Sequence, residues 1–319
     1  MRVRRRRCFL LLMIVMVLIT SACGHEKTSN QMTTVKIGYL PITHAAPLYF
    51  EKEFADTYLN GVKLELVKFG TWIDLVDALN TGRIDGASVL IELAMKAREK
   101  GIDLKAVALG HKDGNAIITS HNIQNARDLK GKTVAIPHTL SSQNILLYEM
   151  LQKENMTYED INVVEMTPPE MPSALAAGTI SSYIVAEPFG ALGVTLDQGK
   201  VLYQSEDLWP NSLCCALVLR NDLIKQDRNT AEQLVSGYIK AGEKAEKTDQ
   251  EIQEIHKKYL DIDEKALELS LEWITYDDLR LEQADYEVLS ESLLELGLSE
   301  NPPAYESFVD NSLLEEVEE

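Results

Sequence analysis

The 319-residue chain has only four cysteines, and they offer no disulfide framework: Cys8 and Cys23 lie in a leader-like start, while Cys214 and Cys215 are neighbours, which rarely close a relaxed bond. A small disulfide-stapled scaffold is excluded. Cations are scarce as well, with 31 Lys plus Arg against 50 Asp plus Glu and a formal net charge of -19. That is the wrong sign for gripping a phosphate backbone, so nucleic acid is excluded as a partner. Long apolar runs are also missing: the longest, Cys8 to Ile19, has 12 residues where a membrane span needs about 20. What is present, 45% hydrophobic and 25% charged residues over this length, suffices for a substantial core and rules out a disordered or fibrous chain.

The scarce cations cluster at the start. Arg2 and Arg4 to Arg7, then the apolar run, then Thr20-Ser21-Ala22 read as an export leader over residues 1–22. Its ending, Ala22-Cys23, resembles a bacterial lipobox, which implies that Cys23 becomes the lipidated first residue of the mature chain. Residues 23–34 are polar and aperiodic, as a tether is expected to be. The acidity sits at the other end: residues 241–319 hold 24 acids and six Lys plus Arg, the pattern of a solvated outer surface on C-terminal helices.

Between these ends the chain repeats itself. Val35 to Leu40 reads as a strand, Ala45 to Leu59 as a helix, Val62 to Phe69 as a strand and Trp72 to Leu79 as a helix; the same order recurs with Thr133 to Ile136, Ser141 to Glu154, Ile161 to Met166 and Glu170 to Ala177. Tyr39, Pro41, Thr43, Ala78, Leu79, Gly82 and Ile84 match Ala135, Pro137, Thr139, Ala174, Leu175, Gly178 and Ile180, each 96 residues on. Gly82 and Gly178 fit left-handed helix caps before the next strand. The expected architecture is α/β with two Rossmann-like lobes and a ligand cleft between them: 35–115 as the first part of lobe 1, 116–210 as lobe 2, and 211–319 returning to lobe 1 through a strand at Leu213 to Leu219, with the acidic helices packed there. Two crossings between lobes allow closure on a ligand.

In such sheets ligands bind where loops and helix N-termini meet at strand ends. The matched loops, Pro41 to Ala45 and Pro137 to Ser142, supply Thr43, His44, His138, Thr139, Ser141 and Ser142 as hydroxyl and imidazole partners. Trp72, just before a helix, reads either as a flat wall for a planar solute or as a core aromatic. His44, His111 and Glu187 make an alternative metal set, though no short ligand spacing supports it. Cys214 and Cys215, inside Leu213-Cys214-Cys215-Ala216-Leu217, read first as small buried strand residues, with a redox or metal role as the minority reading. No Arg or Lys appears in the matched cleft loops apart from Lys112, so a guanidinium clamp for carboxylates is not visible.

Gly38-Tyr39-Leu40-Pro41-Ile42-Thr43-His44, Gly70-Thr71-Trp72, Leu79 to Ala87, Asp128-Leu129-Lys130-Gly131-Lys132, Ala186-Glu187-Pro188-Phe189 and Phe308 to Ser312, in that order, resemble the type II periplasmic-binding superfamily. Within it they resemble the nitrate, sulfonate, taurine and bicarbonate group of ABC-importer solute-binding proteins, which includes thiamine-precursor binders. The resemblance implies a receptor without catalytic residues or cofactors, monomeric and lipid-anchored outside the membrane, that hands a small-molecule solute to an ABC permease with a cytoplasmic ATPase. It implies a solute-facing role for Trp72, Asn115 and Glu187, with Ser88, His111 and Gln143 completing the set. Gln143 stands where nitrate and bicarbonate relatives have a His, a departure that counts against those two anions. A thiamine-type pyrimidine would use Trp72 and Glu187 together, and a small oxyanion would use the loop amides and histidines. A pyrimidine-synthase-like enzyme is the remaining reading, and the Cys pair lacks the further cysteines of that motif.

Overall fold

In a computed structural model, which describes residues 32–247 and 249–315, twelve strands are present among the described residues. In chain order they are β1 (Thr33–Tyr39), β2 (Val62–Lys68), β3 (Gly86–Leu90), β4 (Leu104–Leu109), β5 (Lys112–Asp113), β6 (Asn115–Thr119), β7 (Thr133–Ile136), β8 (Asn162–Glu165), β9 (Ser182–Ala186), β10 (Lys200–Gln204), β11 (Cys215–Arg220) and β12 (Ile274–Thr275). The expected leader, Cys23 as the expected lipidation site, and nearly all of the expected tether lie outside the described residues. No helix among the described residues is long and apolar enough to cross a membrane.

The strands form two five-stranded sheets of one design. The first runs β2-β1-β3-β11-β4 and the second β8-β7-β9-β6-β10. β1 pairs parallel with β3, β7 pairs parallel with both β8 and β9, and in each sheet the fourth strand runs antiparallel to both neighbours. That fourth strand is the one the chain inserts on crossing over: β6 enters the second sheet after β4, and β11 returns to the first after β10. The 96-residue offset carries β3 at Gly86–Leu90 onto β9 at Ser182–Ala186. Gly82 and Gly178 both stop a helix at positive φ, 71° and 70°, a conformation that costs a β-carbon-bearing residue about 1 kcal/mol.

Strands buried on both faces explain the continuous apolar runs. Val134, Ala135 and Ile136 of β7 and Tyr183, Ile184 and Val185 of β9 are almost fully buried, as a sheet covered by helices on both faces requires. The helix expected from Ala45 to Leu59 instead breaks at Phe54 into Ala46–Glu53 and Ala55–Tyr58. The first piece is buried beneath the long helix Arg228–Ala245, whereas the second has no buried residue.

The acidic C-terminal helices do not all pack on the first half. Arg228–Ala245 and Gln250–Leu260 lie against Ala46–Glu53, but Glu264–Glu272 packs on Phe189–Thr195, beside the second sheet. A short antiparallel pair, β12 with β5, ties the chain after that helix to the first crossing.

Candidate functional site

Three distant stretches of chain meet at the crossings. The turn after β1 brings His44, the first crossing brings His111, and the second ends at Cys214 and Cys215. One donor atom from each lies within 4.8 Å of the others, and all four residues are buried. The two imidazoles lie face to face, with centroids 3.5 Å apart and planes inclined by 32°. His44 Nε2 donates to the Gly114 carbonyl at 2.7 Å, and His111 Nδ1 donates to that of Asp113 at 2.8 Å. A carbonyl only accepts, so each of these nitrogens carries a proton. The remaining lone pairs belong to His44 Nδ1, 3.6 Å from Cys214 Sγ, and to His111 Nε2, which has no hydrogen-bond partner. Asp113 and Gly114 are both left-handed, with φ of 59° and 74°, and this turn supplies both carbonyls.

Burial works against ionising Cys214, but a hydrogen bond from Cys215 and the adjacent His44 ring outweigh it and hold the thiol well below its usual range. Cys215 is pushed well above that range by burial and by its bond to Cys214. Burial, helped by the neighbouring His44, lowers His111 to about 4, so its ring is neutral near pH 7.

The second half contributes amides and hydroxyls. Gln143 Nε2, in the first turn of the helix Ser142–Lys153, donates to Asn115 Oδ1 at 2.6 Å and lies 3.5 Å from Cys214 Sγ. Asn115 Nδ2, Gln143 Oε1 and Ser142 Oγ are buried without partners. Ser141 caps the same helix, accepting from Asn144 N. Glu187 is fully buried, with Oε2 accepting from Ala191 N at 2.9 Å and Oε1 unpartnered; burial, only partly offset by that amide, raises its carboxyl to about 8. Thr43 does not point a free hydroxyl at the centre: its N–H and Oγ1 both donate to the Glu187 carbonyl at 2.9 Å, stitching the two halves together.

A cleft of about 230 Å³ opens between the halves, lined by Leu40, Gly70 to Ile73, Pro137, His138, Glu165 to Pro168 and Glu170. Trp72 lines it and is also 95% buried against the core, so the wall and core readings describe the same ring. His138 sits at the rim, its Nδ1 accepting from Leu140 N. Thr139 is exposed and engaged by the Glu165 carboxylate through both its N–H and hydroxyl. Ser88 lies in mid-β3 opposite Leu217 of β11, outside the residues that line the cleft.

The structure therefore joins His44 and His111, but to the cysteine pair, and Glu187 is not in that group. Sequence reasoning also passed over Glu92, fully buried at the start of a helix with both carboxylate oxygens unpartnered and its carboxyl pushed well up by burial and by Cys214. The available signal was an acid directly after an apolar strand, Val89-Leu90-Ile91-Glu92.

Two α/β halves of one topology, joined by two crossings and opening on a shared cleft, define the type II periplasmic-binding fold. The chain belongs to the NMT1-like family, whose pattern matches residues 28–258. The ligand-binding component of an ABC-type import system from Staphylococcus aureus, solved with zinc bound, is 41% identical, with 89% of this chain and 99% of that one covered at a TM-score of 0.84. The periplasmic nitrate-binding protein NrtA from Synechocystis shares the fold at 19% identity, covering 90% and 88% at a TM-score of 0.78. The nitrate import ATP-binding protein NrtC of Synechococcus elongatus is 30% identical over 67% of this chain and 36% of its own length. The chain spans about a third of the length of the first curated relatives it matches.

Proposed function

We propose that the chain is the extracytoplasmic solute-binding component of an ABC importer: it captures a small solute of the nitrate, sulfonate or taurine type between its two halves, and the closed form delivers it to a permease and ATPase. A receptor rather than an enzyme is what its family and the two structural relatives support. The carrying observation is the set of buried, unpartnered polar atoms on Asn115, Ser142, Gln143 and Glu187, in a chain whose two sheets are joined by crossings that can hinge. Leaving such groups unpaired costs about 1–3 kcal/mol each, which a bound solute recovers. Export and anchoring through a lipid on Cys23 complete the reading, supported by the basic, apolar and small-residue order of the leader.

Within that solute group the cleft favours a molecule with an amino group. Among the described residues Glu165 and Glu170 line it and no Arg or Lys does, so a bare oxyanion would meet carboxylates without an offsetting cation there. A taurine-like zwitterion or an amino-pyrimidine suits the site better than nitrate. Thermal denaturation of the chelator-stripped protein with taurine, an alkanesulfonate, nitrate, bicarbonate and an amino-pyrimidine tests this. A solute at 100 times its Kd adds about 2.7 kcal/mol of stability. A melting shift with an amino-bearing solute and none with nitrate is expected; a shift with nitrate alone would overturn the amino preference, and silence across the panel would overturn the receptor reading for this solute group.

A further inference from the structure

The geometry points to a site for one thiophilic divalent cation, Zn²⁺ being the reference species, held by His44, His111, Cys214 and Cys215. It rests on reading the junction of the halves as the receptor's binding region, and its donor set is argued independently.

Four-coordinate zinc with Zn–S near 2.3 Å and Zn–N near 2.05 Å has tetrahedral edges of about 3.8 Å between two sulfurs and about 3.6 Å between sulfur and nitrogen. Cys214 Sγ and Cys215 Sγ are 3.9 Å apart, and His44 Nδ1 is 3.6 Å from Cys214 Sγ. These two edges match a tetrahedron's, and all four donors lie within 4.8 Å of one another. Both imidazoles are also prepared for a metal from outside: each spends its proton on a backbone carbonyl, and each directs its lone pair into the cluster. Such outer hydrogen bonds fix the tautomer and raise ligand basicity in metal centres. An imidazole nitrogen buried without a partner, as His111 Nε2 is, is otherwise an unrecovered cost.

Charge balance agrees. A dication held by two thiolates and two neutral imidazoles forms two metal–sulfur bonds and displaces two protons from the cluster, so the buried region gains no net charge. No oxidant or reductant is required. The location gives the cation mechanical leverage, because its ligands span the turn after β1 and both crossings. Gly110 N already donates to the Cys215 carbonyl at 2.8 Å, holding one crossing to the other. Occupancy should stiffen the crossings on which closure depends.

The test uses the full chain, purified with reductant, stripped by chelator and titrated with Zn²⁺ alone against a chromophoric competitor, and separately with Co²⁺. One equivalent of Zn²⁺ is expected, and Co²⁺ should show a thiolate charge-transfer band with intense tetrahedral d–d bands. C214S/C215S and His111→Gln should each weaken binding by about 100-fold or more, while His121→Gln, on the surface, leaves it unchanged. The absence of stoichiometric uptake, a pale octahedral Co²⁺ spectrum, or full affinity in the cysteine variant would overturn the site. If the cysteine variant fails to fold by circular dichroism, the wild-type Co²⁺ spectrum decides. Running the solute panel on the stripped protein separates the two readings: solute shifts without cation uptake overturn only the cation site, and cation uptake with a silent panel overturns only the solute reading.

Discussion

The two sheets share one strand order, yet the loops that follow their first strands live in different surroundings. Residues Ile42 to Ala45 are buried, run beneath both crossings and hand His44 to the cysteine pair, with the Tyr276 hydroxyl donating to the Thr43 carbonyl from the C-terminal region. Of their counterparts, His138 to Ser141, only Ser141 is buried; His138 to Leu140 lie half open at the cleft rim, where Thr139 is held by Glu165. Thr43 and Thr139 are 96 residues apart, and each is a hydroxyl donor, but one bridges the halves and the other fastens a loop within its own half. Trp72 and Pro168, also 96 apart, line the same cleft. Topology was duplicated, and chemistry was then assigned by what packs over each copy. The first copy is covered and polar within; the second faces the solvent.

Substitutions at matched positions break or sharpen this comparison. The largest effect is expected for Trp72→Ala, which removes a 95% buried ring: a loss of about 3–4 kcal/mol from apo stability by denaturant titration, together with weaker solute binding. Pro168→Ala, across the cleft, should cost far less stability, and equal losses at both sites would contradict the asymmetry. Next, Gly86 of β3 aligns with Ser182 of β9. A β-carbon at Gly86 would meet the Val218 carbonyl at 2.7 Å and the Leu219 side chain at 2.6 Å, whereas Ser182 carries its hydroxyl to the Ile118 carbonyl at 2.8 Å. Gly86→Ser should therefore cost about 3 kcal/mol, and Ser182→Ala only about 1.

Glu187 aligns with Ile91, so the second half buries an acid where the first buries a methyl-bearing side chain. A carboxyl with its folded pKa raised to about 8 binds a proton that the unfolded chain has already released above the usual carboxylate range. Stability should consequently be full below about pH 4.5 and fall as pH rises toward 8. Glu187→Gln should reduce that slope, with the buried Glu51 and Glu92 still contributing to it, and stabilise the apo protein by on the order of 2 kcal/mol at pH 8, with little change at pH 4.5; melting curves at the two pH values check this. The smallest contrast is Gly82→Ala against Gly178→Ala, each expected to cost about 1 kcal/mol because both backbones are equally left-handed.

Much of this plan could be read from the chain because its causes are local. An apolar run bounded by turn residues marked β7 at Thr133–Ile136, and a glycine after a helix marked both left-handed caps. The break at Phe54 was not visible, since no Gly or Pro stands there; the helix ends where its partner, Arg228–Ala245, leaves only the first segment fully covered. The cysteine pair shows the same limit. Within its own stretch it is two small residues entering a strand, and only a histidine 170 residues earlier and another about 100 earlier turn it into a donor set. The packing of Glu264–Glu272 on the second half accompanies the two-residue β12–β5 pair, too short to leave a periodic signal.

Closure of two halves over a solute shortens distances across them, and measuring one tests closure most directly. Spin labels at Lys63→Cys and Asn162→Cys, exposed positions on the matched edge strands β2 and β8, leave the buried Cys214 and Cys215 untouched. Pulsed electron resonance on the full chain, at a saturating concentration of the solute that gives the largest melting shift, should show a shorter and narrower distance distribution than the solute-free protein. An unchanged distribution in the presence of that same melting shift would contradict closure and leave a rigid binder in its place.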